Sequence, residues 1–324
     1  MFDFIFIGDS TLDVFLIVHE YKVMFDIKRE NKYLCVSYAD KVPVDEIREM
    51  IAGNAPNAAV AAGRAGLKIA IVTQMGDDKI SEMARELFLK EGVALDYFVQ
   101  EKGTQSNYST VVAVDGERTI LIYHTPRQYR LPNLVPAKWA YLTSMARGSE
   151  QIFPALVKYL KKTGAKLLYQ PGTFQLRLGA EKSKELLEQT ELFVVNRDEA
   201  ILYVGAKLDI KIKDLIDKIK NLGPKMIVIT DGTKGSYSWD GQNYWQMGIL
   251  KDILRKEATG AGDAYASGLA IALCKGFDMP EAMRWAHFNS SSVIQFVGAQ
   301  EGLLAESGYR KWSKKYKNFK AEKF

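Results

Sequence analysis

Glu257-Ala258-Thr259-Gly260-Ala261-Gly262-Asp263-Ala264-Tyr265 opens a long apolar stretch near the end of this 324-residue chain. The small residues at 260–262 let a ligand approach the backbone closely. The free N–H groups and dipole of a helix's first turn suit a phosphate, and such a nest would stabilise charge developing on a transferring phosphoryl group. Asp263 falls in that first turn, where a carboxylate can take a proton from an attacking hydroxyl. The same residues also read as a glycine-rich helix entry with an acid that favours the helix N-terminus.

Four further clusters combine polar groups with turn residues. Gly8-Asp9-Ser10-Thr11-Leu12-Asp13 follows an apolar run, where Asp13 reads as an Asx-turn residue or as an acceptor for a ligand. Gly53-Asn54-Ala55-Pro56-Asn57 precedes a small apolar helix, which Asn54 would suit as a cap. Asn196 and Glu199 stand about one helical turn apart after a strand. They form a capping arrangement or an oxygen-rich site of the kind Mg²⁺ prefers, with several waters retained. Thr230-Asp231-Gly232-Thr233-Lys234-Gly235 is a turn ending a strand. Only three histidines occur, His19, His124 and His287, and His287 lies in a late helix.

The elements that must hold these groups alternate. Phe2 to Gly8 reads as a buried strand, 68–73 as another, and helices follow at 57–62 and 80–90. From Trp139 the strands 139–144, 166–170, 192–196 and 226–230 alternate with helices at 150–162, 181–189, 198–204, 210–221, 261–275 and 280–296. That rhythm predicts a mostly parallel sheet covered on both faces. Strand-like runs at 12–18, 32–39, 107–114 and 118–124 fall outside it, with Asp115-Gly116 and Asp240-Gly241 as hairpin turns. The expected organisation is an α/β core from 1–12, 40–96 and 125–308, a small β-rich lid from 13–39 and 97–124, and a C-terminal tail, 309–324. Ligands in open α/β sheets bind outside the carboxyl ends of the strands, so the lid would close over them and exclude water.

Composition sets the outer limits. Hydrophobic residues make 47% of the chain and charged residues 26%, ordinary for a globular protein. No run of about 18 apolar residues predicts a membrane helix, and the start reaches Asp9 too soon for a signal peptide. Cys35 and Cys274 supply neither a disulfide framework nor a four-ligand zinc site, so a reducing, cytoplasmic compartment fits. The tail carries seven Lys/Arg against one Glu, more than the whole net charge of +5, and the remaining body is slightly acidic. This argues against a nucleic-acid-binding domain and leaves a membrane without an anchor. Tyr309, Trp312, Tyr316 and Phe319 recur at helical spacing and predict a docked helix.

Together these motifs resemble the ribokinase-like, or PfkB, family of carbohydrate and nucleoside kinases. The resemblance spans about Gly8 to Gly302, and residues 257–265 match most of the family's second signature. It implies a three-layer α/β/α core with a β lid, and ATP-dependent phosphotransfer to a hydroxyl of a small sugar, with a nucleoside as the alternative acceptor. It also implies Asp263 as catalytic base and Gly260, Ala261 and Gly262 as anion hole. Asp13, Gly53, Asn54 and Asn57 become substrate contacts. Asn196, Thr230, Gly232, Gly235 and His287 fall to the nucleotide, and Asn196 and Glu199 to Mg²⁺ through water. Glu257 replaces the aspartate that orders a monovalent-cation (K⁺) loop in many members, and Ala258 replaces Thr or Pro.

Three specificity features follow. Phe15, Tyr38 and Tyr108 would offer a platform for a nucleobase or form the lid's own core. Arg127 and Arg147 would meet a sugar phosphate or face solvent. Gln170 stands where many relatives carry an Asp- or Asn-containing turn. A non-catalytic sugar or nucleotide sensor is the reading from another class, and intact Asp263 and Gly-Ala-Gly weigh against it. Walker A, HExxH and GxSxG sequences are absent. Uncovered lid strands invite pairing and predict a homodimer through the lid.

Overall fold

The computed structural model describes residues 1–18, 22–26, 31–114 and 117–324. His19 and the expected Asp115-Gly116 turn lie outside the described residues. The apolar strand runs of the sequence stand side by side in an eleven-stranded sheet. Phe2–Ile7 is central, flanked by Ile69–Gly76 on one side and Ala137–Leu142 on the other. Lys166–Tyr169, Thr190–Asn196 and Met226–Thr230 continue in parallel. Antiparallel Ser236–Trp239 and Tyr244–Met247 follow, joined at the Asp240-Gly241 turn.

The parallel strands are largely buried on both faces, which explains their Val, Ile, Leu and aromatic content. One face carries the helices Asn54–Arg64, Ala261–Cys274 and Met279–Val293. The other carries Phe153–Thr163, Thr173–Lys182, Lys184–Glu188, Arg197–Val204 and Ile212–Lys220. The expected helix at 181–189 instead straddles the end of Thr173–Lys182 and the short Lys184–Glu188, with Ser183 between them.

Because the chain leaves Phe2–Ile7 for one side of the sheet and returns on the other, the carboxyl ends of neighbouring strands splay there. Gly8-Asp9, Ser144, Gln170, Asn196 and Thr230 all follow or end a core strand on that edge, where such sheets hold ligands.

A second sheet of four strands lies over this edge, in the order Glu117–Tyr123, Asn107–Val114, Thr11–Ile17, Glu46–Ala52. Its composition departs from the expected lid. Glu46–Ala52 pairs with Thr11–Ile17 although 40–96 was expected in the core. This edge strand is exposed except at its end, so its charged sequence lacks the alternation that marks a half-buried strand. Phe98–Glu101 was expected in the lid and instead pairs with Ile69–Gly76 in the large sheet. Lys22–Asp26 and Asn31–Cys35 form a separate hairpin.

The tail belongs to the body. Helix Glu306–Lys315 buries Tyr309 completely, stacked on Trp285 at 4.2 Å, and Trp312 and Tyr316 pack on Phe288. Arg284 donates to the carbonyls of Ser313 and Tyr316 at 2.8 and 3.1 Å, satisfying acceptors at the helix end. Glu322–Lys323 then extends the edge of the large sheet. The basic side chains remain largely outside while the aromatics bind. Tyr309→Ala should therefore destabilise the whole protein by about 3 kcal/mol, read as a lower urea midpoint. An unchanged midpoint would mean the tail is not part of the folded unit.

Candidate active site

The edge of the large sheet and the inner face of the lid enclose a cleft of about 350 Å³. Its walls follow from strand periodicity. Thr11 and Asp13 alternate on one lid strand and Asn107 and Ser109 on the next, in register Thr11 with Asn107 and Asp13 with Ser109. Arg118, Ile120, Ile122 and His124 alternate along the outer strand and past its end. Gly53, Asn54, Asn57, Ser144, Gln170, Asn196, Glu199, Thr230, Ala258, Thr259, Gly260, Gly262 and Asp263 line the opposite side.

Asp263 lies in the first turn of Ala261–Cys274. Asn57 Nδ2 donates to its Oδ2 at 2.9 Å, and Gln170 Nε2 approaches its Oδ1 at 3.5 Å. Burial pushes its carboxyl up to about 6, against the pull of these two donors and of Arg118. Burial likewise raises Asp13 to about 6; Ser109 opposes this and Asp263 adds to it. Glu199 is also raised, first by burial and then by Asp263 and Asp198, against the pull of the Asn196 N–H. With Asp9, four acids thus line one cleft.

The helix start needs its glycines. Gly260 has φ 75°, and a Cβ there would stand 2.4 Å from that of Ala299. A Cβ on Gly262 would meet nothing within 4 Å, so its smallness keeps cleft space open. Among the described residues the N–H groups of Gly262 and Asp263 have no protein acceptor, whereas Ala261 N–H binds Ala258 O at 3.2 Å. Ala261 is accordingly no donor to the cleft, a correction to the expected trio.

Other expected residues divide. Asn54 and Asn57 both begin helix Asn54–Arg64 at the cleft. Asn196 and Glu199 form a reciprocal capping box, each side chain accepting from the other's N–H at 2.8 Å, while both still line the cleft. Thr230 reaches it; Gly232 and Gly235 do not, and shape a turn with φ 51° and 94°. His287 is buried, shares a hydrogen bond with Ser236 Oγ at 2.9 Å and packs against Tyr265 and Phe319. Burial pushes its imidazole down to about 3. It is a core residue, because helix Met279–Val293 turns that face inward.

The aromatic platform does not form. Phe15 is wholly buried, Tyr38 is 99% exposed, and neither they nor Tyr108 line the cleft. Arg127 is buried beside Glu101, Thr104 and the Gln105 carbonyl, and Arg147 is absent from the lining. Arg118 and His124 are the basic residues that do line it. Sequence reasoning missed them, along with Asn107, Ser109 and Asp9. The period of two on the lid strands was the available signal. Asp9 is 7% exposed and accepts from Tyr129 and Ala146 N–H at 2.8 Å each. Its Oδ1 has no partner among the described residues.

Glu257 is nearly buried. One carboxylate oxygen accepts from Thr259 N–H at 2.9 Å and from the Thr259 hydroxyl, the other from Gly298 N–H at 2.9 Å. It therefore ties the loop before Gly260 to the loop at 298.

A family model described as pfkB family carbohydrate kinase matches residues 21–306. The chain belongs to the pfkB family of carbohydrate kinases. The bifunctional ribokinase/ribose-5-phosphate isomerase A of Fructilactobacillus sanfranciscensis is 26% identical over 268 residues, 78% of this chain and 47% of that protein; the chain spans about half that relative's length. The fold matches Arabidopsis thaliana ribokinase complexed with ribose and ATP, with TM-score 0.80 and 19% identity, covering 96% of this chain and 98% of that one. It also matches Burkholderia thailandensis nucleoside kinase in complex with inosine, with TM-score 0.75 and 17% identity, covering 97% and 99%. No helix among the described residues is long and apolar enough to cross a membrane.

The raised acids have a consequence for stability. A carboxyl whose folded pKa lies above its unfolded value binds protons more tightly when folded. Its contribution is present below about 4 and is lost as pH rises through about 6. Asp13→Asn and Asp263→Asn should each gain stability over the native protein at pH 7 relative to pH 4. Urea unfolding at the two pH values checks this, and a difference independent of pH would contradict the raised values.

Proposed function

We propose that the protein transfers the γ-phosphoryl group of ATP to a hydroxyl of a small sugar. The observation that carries this reading is a cleft lined by hydrogen-bonding side chains around Asp263, with no Phe, Tyr or Trp among its described lining residues. Sugars present hydroxyls, which such groups recognise, whereas a nucleobase calls for a stacking surface. Ile120 and Ile122 on the lid are the one feature that favours a nucleoside, since they offer an apolar roof.

In this reading Asp13, Asn54, Asn57, Asn107 and Ser109 orient the acceptor. Asp263 takes the proton of the attacking hydroxyl as its oxygen bonds to the γ-phosphorus. The bond from phosphorus to the β–γ bridging oxygen breaks, and ADP leaves with that electron pair. The N–H groups at Gly262 and Asp263 and the helix dipole offset charge on the transferring group. Closing the lid excludes water and so disfavours ATP hydrolysis.

Glu199 keeps one carboxylate oxygen outside its capping bond, and with Asn196 it supplies the oxygen chemistry that suits a hydrated Mg²⁺. When bound, Mg²⁺ neutralises charge on the nucleotide phosphates. Glu257, the replacement that put a monovalent cation in doubt, does not suit one. Three N–H or O–H donors converge on that carboxylate, where a cation would need acceptors. A homodimer through the lid is proposed from Leu121 and Tyr123, 63% and 49% exposed on its outer strand; light scattering at about 36 kDa instead of twice that mass would remove it.

An ATP-consumption screen with free sugars, sugar phosphates and nucleosides, each product identified by mass, tests the acceptor. A phosphorylated free sugar is expected, and a nucleoside monophosphate as the sole product would move the assignment to the alternative. Asp263→Asn should retain ATP binding while turnover falls ~10²–10⁴-fold; near-native turnover would refute its role as base. Rates in KCl and NaCl should agree, and clear K⁺ activation would show that Glu257 still serves a cation loop.

A further inference from the structure

We infer that Gln170 is a positioning residue, its amide locked by Tyr141 so that only N–H donors face the Asp263 carboxylate. The inference rests on the reading of Asp263 as base and deepens it. Gln170 follows strand Lys166–Tyr169, and its N–H binds Leu142 O at 3.0 Å. Tyr141, on the adjacent strand and wholly buried, donates its O–H to Gln170 Oε1. That bond decides which way the amide points. Turned over, the amide would present N–H groups to Tyr141 and leave the phenol's own proton buried without an acceptor. In the observed orientation Gln170 Nε2 faces Asp263 Oδ1 at 3.5 Å.

The other oxygen is treated in the same way. Asn57 donates to Oδ2 at 2.9 Å, and its own carbonyl oxygen is held by Gln300 Nε2 at 2.9 Å. Each amide on Asp263 therefore has its oxygen occupied by a second donor. A protonated Asp263 would need an acceptor for its new O–H, and neither amide offers one. A turned Gln170 would, stabilising the acid and removing the base. The charged and titratable groups facing Asp263 from other elements are Asp13 and Arg118 on lid strands, Glu199 on helix Arg197–Val204, and the Tyr141 phenol. Asp13 and Glu199 favour the protonated acid and Arg118 the carboxylate, so the amide pair adds to Arg118. The long Gln170 contact leaves Oδ1 the less tightly held oxygen, and it receives the substrate proton.

The test reads the carboxyl itself in the full-length protein. With ¹³C-labelled aspartate, the Asp263 signal is assigned by its loss in Asp263→Asn and titrated by NMR without ligands. The native midpoint is expected near 6. Tyr141→Phe and Gln170→Leu should each move it up by about one pH unit, a roughly tenfold gain in proton affinity. With an acceptor from the screen, the acid limb of kcat/KM should move up by the same amount while KM for ATP stays constant. Unchanged or lowered midpoints in folded variants would overturn the inference. Should Tyr141→Phe fail to fold, Gln170→Leu alone decides. Failure of the whole panel to be phosphorylated would count against the proposed function, while the titration still decides the role of Gln170.

Discussion

A carboxylate buried against the donors that hold its charge is the constraint around which the cleft is arranged. Taking Asp263 out of water favours its protonated form, and Asp13 and Glu199 push the same way. The opposing groups come from one helix layer, the sheet and the lid. Asn57 reaches it from the helix that follows the lid strand Glu46–Ala52, Gln170 from the end of a core strand, and Arg118 from the far edge of the lid. The balance leaves an acid raised to about 6.

That balance depends on the sheet. Parallel strands end at one edge, so the groups following five of them meet without any being neighbours in sequence. Helix Ala261–Cys274 brings its N-terminus to the same place because Ala264 to Ala272 are buried against helices Met279–Val293 and Asn54–Arg64. Close packing fixes where the first turn points. Glu257 then fixes the loop before it, by bonds to backbone on both sides of the gap between residues 259 and 298.

The lid covers the cleft with an uneven face. Its inner face reads polar on the two strands nearest the acid and apolar with basic ends on the outer strand. Asp13, Ser109 and Ile122 share one row across the sheet. Of the aromatic residues that drew notice in the sequence, Tyr108 alternates with Asn107 and Ser109 and so faces away from the cleft. Phe15 lies further along the strand of Asp13 and is wholly buried, and Tyr38 lies past the strand Asn31–Cys35 and is exposed.

By itself the sequence determined the alternating core, the helix entry at 257–265 and the order of the motifs, since these rest on local periodicity and on glycine and capping preferences. Tyr309 and Trp312 likewise announced the docked tail by their spacing. Only the tertiary structure decided the rest. Glu46–Ala52 is a lid strand because a partner stands beside it, not because its own sequence alternates. His287 is a core residue because Ser236, Tyr265 and Phe319 close around it. Gln170, which looked like an unexplained departure, touches Asp263 only after residues 93 positions apart are brought together. Contacts of that range depend on how the strands stack and register, and no short window of sequence contains them.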